Sequence, residues 1–160
     1  MGIVSQDSHI FSESIAFNIC LNQDIPESFY TFWNWVEERI PYIKNVWRVG
    51  PDSNIDQKTI SLGQKQLLAA IRSCYLKKPV VLFDEVSSGL DSDLELALRR
   101  VVELIQEQSL TFVVAHRLET VIGANQIIVM DDGKIVDRGV HAELFERCSI
   151  YRQFLEELSH

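Results

Sequence analysis

Pro79-Val80-Val81-Leu82-Phe83-Asp84-Glu85 is the stretch that decides the architecture. Four consecutive apolar residues leave no polar side for water, which suits a central strand of a parallel sheet covered on both faces. The carboxylates Asp84 and Glu85 then mark the carboxyl end of that strand. Immediately upstream, the spacing predicts a helix that starts after Ser61, whose hydroxyl can cap it, and runs to Lys77-Lys78 before Pro79 stops it. The two lysines suit the negative end of the helix dipole.

Downstream, Asp91 or Ser92 caps a helix carrying Leu94, Leu98, Val101, Val102 and Ile105 at helical spacing. Residues 111–115 form a second buried strand that ends at His116, and residues 126–130 a third. Asp131-Asp132-Gly133-Lys134 then turns the chain into a short partner strand at 135–137, a strong hairpin signal. Two helices, at 141–147 and 150–158, close the chain. Towards the N-terminus, Gly2-Ile3-Val4-Ser5-Gln6-Asp7 reads as a strand end entering a polar loop, and 12–20 as a short helix capped by Ser12 or Ser14. Residues 27–47 hold seven of the fifteen aromatics, divided by Pro41 into two helical pieces, and 49–59 is loop. Alternating strand and helix from 80 to 130 makes the chain α/β with a largely parallel sheet.

With 160 residues, 46% hydrophobic and 24% charged, the chain has the composition of one folded domain rather than of a disordered or coiled-coil segment. The formal charge of −8 and a pI near 4.9 argue against a broad nucleic-acid surface. No apolar run approaches the length of about 20 residues that spans a bilayer, and no signal peptide is recognisable. Cys20, Cys74 and Cys148 are widely spaced and in no paired pattern, and read as buried thiols of a cytosolic chain.

Several positions suit phosphate chemistry. Ligands of open α/β sheets gather at the carboxyl ends of strands. There one of the two adjacent carboxylates, Asp84 and Glu85, can hold a hard cation such as Mg²⁺ while the other polarises a water. His116, at the end of the next strand, can donate a hydrogen bond to an anion. Ser61-Leu62-Gly63-Gln64 opens a helix, where free N–H groups, a hydroxyl and a glycine permit close approach of a phosphate. Each has a plainer reading taken singly: solvated loop acids, a structural histidine, an ordinary helix cap.

Their order changes this. Val4-Ser5-Gln6-Asp7, then Ser61-Leu62-Gly63-Gln64-Lys65-Gln66, then 80–85, then Ser88-Gly89-Leu90-Asp91, then His116 resembles the nucleotide-binding domain of ABC transporters. In that likeness they are the Q-loop, the signature motif, the Walker B strand with its following acid, the D-loop and the switch histidine. Residues 132–144 are similar to the family's usual ending. The resemblance implies Glu85 as general base, with His116 and Gln6 as catalytic partners. It implies Asp84 and Gln6 at Mg²⁺, and Ser61, Gly63, Gln64 and Asp91 at ATP. Leu62 stands where the signature normally has glycine, and Ser-Leu-Gly-Gln looks like the multidrug-resistance-associated, exporter-type branch. The acidic loop that usually precedes the signature is not recognisable in 50–59.

A P-loop, Gly-x-x-x-x-Gly-Lys-Ser/Thr, is missing: of the seven glycines, Gly133 alone precedes a lysine, and residue 128, five positions before it, is isoleucine. In the resembled family this motif precedes the Q-loop, where the sequence has five residues before Gln6. The expected architecture is therefore a partial P-loop NTPase-type sheet: a Q-loop region (1–17), a helical subdomain ending in the signature helix (18–78), and a Walker B, D-loop and switch-histidine core with C-terminal helices (79–160). In the resembled family two domains sandwich ATP, each nucleotide held by one P-loop and the other domain's signature. The implied partners are a second nucleotide-binding domain that carries a P-loop and the coupling helices of a transmembrane domain, at the cytoplasmic face of a membrane; nucleic acid is not among them. Alone, the chain is expected to be hydrolysis-incompetent, and poorly soluble or oligomeric because apolar strand surfaces lack cover. A non-catalytic module donating a signature half-site is the alternative; a DNA-repair-type ATPase is opposed by the acidic charge. Trp33, Trp35 and Trp47 either form a docking surface for coupling helices or pack a small helical core.

Overall fold

A computed structural model describes residues 1–5, 7–84, 91–115 and 118–158. It divides into two compact units, Met1–Val114 and Ala115–His160.

The first unit is built on three parallel strands, β1 (Gly2–Val4), β2 (Val80–Phe83) and β3 (Leu110–Val113), in the order β1-β2-β3. As the apolar run requires, β2 is central, with Val4 opposite Phe83 and Phe83 opposite Val113. Between the strands come α1 (Ile15–Cys20), α2 (Glu27–Arg39), α3 (Ile43–Val46), α4 (Leu62–Tyr75) and α5 (Ser92–Gln106). Helix α4 packs against α1, α5 and β1, and its Leu67, Leu68, Ala70 and Ile71 lie in one core with Val4, Val81 and Phe83.

The local signals explain these boundaries. Ser14, not Ser12, caps α1, accepting from the Phe17 N–H at 3.0 Å. Asp91 caps α5, accepting from the Leu94 N–H at 3.1 Å. Helix α4 stops at Tyr75, short of the expected Lys77-Lys78, and Lys77 takes a left-handed φ of 46°. Pro79 accounts for this, because its ring excludes Lys78 from helical geometry and the turn must come earlier. On α2, Phe29, Trp33 and Val36 recur at helical spacing and are buried. Phe29 and Phe32 meet Tyr75 of α4 edge-on. Trp33 and Trp47 are thus core residues, which favours the packing reading of the aromatic segment.

The sheet is not covered on both faces. Val4, Val81 and Phe83 are fully buried on one side. On the other, Ile3, Leu110, Phe112 and Val114 remain 53%, 61%, 47% and 47% exposed, flanking half-buried Val80 and Leu82. The expectation of a second buried strand at 111–115 is therefore corrected. An apolar sequence shows that a face avoids water, not what lies against it.

The second unit holds α6 (Leu118–Ile122), β4 (Ile127–Asp131), β5 (Lys134–Gly139), α7 (His141–Arg147) and α8 (Ser149–Leu158). β4 and β5 form the expected antiparallel hairpin. Asp132 and Gly133 both take positive φ, 45° and 73°, the paired left-handed turn that suits twisted strands. Val129 of β4 packs with Val121, Leu144, Cys148, Tyr151 and Leu155, while Ile128 and Met130 are exposed. The third strand is therefore buried at Val129 rather than along its length.

Candidate functional site

The start of α4 is the best-defined part of the candidate site. Ser61 Oγ accepts from the Gln64 N–H at 3.2 Å, and Gln64 Oε1 accepts in return from the Ser61 N–H at 2.9 Å. This reciprocal box satisfies two of the backbone donors that a helix start leaves unpaired. Gln64 Nε2 also donates to the Val46 carbonyl at 3.2 Å, so the Gln64 amide fastens α4 to the end of α3. Ser61 is exposed and Gly63 buried. The hydroxyl is thus presented to solvent on a turn that Gln64 holds rigid.

Beside it lies an open cavity of about 590 Å³, lined by Lys44, Asn45, Val46, Arg48, Gln64, Asp91 and Asp93. It brings together two residues expected at a nucleotide, Gln64 and Asp91, and places the starts of α4 and α5 on one recess. Asn45 Nδ2 donates to Asp93 Oδ2 at 2.9 Å, joining α3 to α5. Lys44 pairs with Glu37 at 3.0 Å, whereas Arg48 makes no ion pair among the described residues. Sequence reasoning missed Lys44, Asn45, Arg48 and Asp93, because α3 reaches α5 only through tertiary packing; the polarity of Lys44 and Asn45 inside an aromatic segment was the available signal.

Asp84 follows β2 directly, its N–H donating to the Val4 carbonyl at 2.9 Å and its side chain exposed. That placement, at the carboxyl end of the central strand, suits a ligand to a hard cation. Among the described residues no group of three metal-binding side chains occurs; of the two residues expected at Mg²⁺, Asp84 and Gln6, Asp84 is the one that is described. Gln6, Glu85, Ser88, Gly89, Leu90 and His116 lie outside the described residues. The donors present fit a phosphate at Ser61, where an exposed hydroxyl crowns a 14-residue helix.

All three cysteines are free and buried, as expected. Burial raises the Cys20 and Cys74 thiol pKa values above their ordinary range.

A parallel sheet with an acid at the end of its central strand, and a capped glycine-bearing helix beside it, is the α/β architecture that the resembled class of partial P-loop NTPase-type domain implies. Comparison with known proteins narrows this class. The chain is 36% identical over 157 residues to an ATP-dependent lipid A-core flippase of Photobacterium profundum, covering 96% of this chain and 27% of the relative. It is 35% identical over 158 residues to the Vibrio vulnificus flippase of that name, covering 94% and 26%. The solved structure of a bacterial Atm1-family ABC exporter with ATP bound superposes on 99% of this chain and 28% of its own, with a TM-score of 0.80 and 26% identity. No family model matches. Over nearly its whole length the chain is thus similar to part of these flippases and of that ABC exporter, and it spans about a quarter of the length of the curated relatives it matches.

Proposed function

We propose that residues 1–160 are the C-terminal part of the ATP-binding and hydrolysing domain of an ABC exporter, in which ATP hydrolysis drives transport across a membrane. On this reading the chain contributes a signature half-site. Ser61 and Gly63 cover the phosphates of ATP held by a P-loop on a second nucleotide-binding domain, while Gln64 and Asp91 shape the adjoining cavity. The observation that carries this is the presentation of Ser61 on a helix start whose geometry is locked by Gln64.

Bound MgATP supplies the phosphoanhydride bond to be broken. Glu85 would take a proton from the attacking water, His116 would donate a hydrogen bond to the phosphate, and Asp84 with Gln6 would hold Mg²⁺. Those roles need a P-loop beyond these residues, so the 160-residue chain by itself should not turn over ATP. The likeness to the multidrug-resistance-associated branch rests on Ser61-Leu62-Gly63-Gln64 alone.

Among the described residues no helix is long and apolar enough to cross a membrane. We place the chain at the cytoplasmic face, held there by transmembrane segments outside it. Mixing the chain with a complete, hydrolysis-blocked exporter nucleotide-binding domain tests the reading. Association that needs MgATP and is lost in Ser61→Arg supports it; nucleotide-independent association, insensitive to Ser61→Arg, favours the non-catalytic regulatory module; no association rejects it.

A further inference from the structure

We draw no further inference here: the strongest candidate, the open cavity at the starts of α4 and α5 lined by Lys44, Arg48, Asp91 and Asp93, belongs to the half-site already described.

Discussion

Phe83 and Phe112 lie on neighbouring strands but on opposite faces of the sheet, and the cost of truncating each measures which face is covered. Phe83 is fully buried in the core with Leu67 and Leu68. Phe83→Ala removes that burial and leaves a cavity, at about 3–5 kcal/mol. Phe112 keeps 47% of its surface in water, so Phe112→Ala forfeits about half a transfer value and leaves no closed cavity, about 1 kcal/mol. The expected gap of about 2–4 kcal/mol corresponds to about 5–15 °C in melting temperature at this chain length. Urea unfolding followed by far-ultraviolet circular dichroism, at several protein concentrations, reads it directly. Equal costs would refute the one-sided sheet; a Phe112→Ala cost of 3 kcal/mol or more would mean that another copy covers the face. Phe112→Lys should meanwhile raise the concentration at which the chain stays monomeric in sedimentation.

Three further outcomes follow from the described contacts. Gln64→Ala breaks both the capping box and the bond to Val46, and should cost about 1–2 kcal/mol in urea unfolding. In the second unit, a hydrogen bond from Arg147, backed by the Arg138 N–H, holds the Asp137 carboxyl below its ordinary 3.8. Its stabilisation is present above the ordinary value and is lost as pH falls through the lower folded one. Arg147→Ala should move the Asp137 midpoint up towards 3.8 in an NMR titration. Cys20 and Cys74, their pKa values raised by burial, should react with a thiol reagent at the rate of chain opening and immediately in urea.

What the sequence made legible was mostly local. Ser61 followed three residues later by Gln64 wrote a capping box, Asp132-Gly133 wrote a hairpin turn, and Pro79 marked the end of α4. Each is a short-range steric or hydrogen-bond rule, and each element formed. The central place of β2 was also readable, because a run apolar on both sides has few other homes. Cover was not readable. Leu110 and Phe112 are as apolar as Val81 and Phe83, and only the packed structure shows which pair lacks a neighbour.

The candidate site divides the same way. Ser61, Gly63, Gln64, Asp84 and Asp91 fall where their motifs suggested, at a helix start, a strand end and a cap. Gln64 turned out to be engaged inside the fold rather than simply offered to a ligand, because Val46 lies 18 residues upstream. Arg48 and Asp93 joined the cavity for the same non-local reason.

The most direct measurement of the central claim is MgATP binding and turnover by the purified chain, with Glu85→Gln as control. No binding and no turnover by the chain alone is the predicted result, followed by MgATP-dependent association through Ser61 once a complete domain is added. Turnover by the chain alone that disappears in Glu85→Gln would contradict the account, because the phosphates would then be held by residues of this chain other than a P-loop.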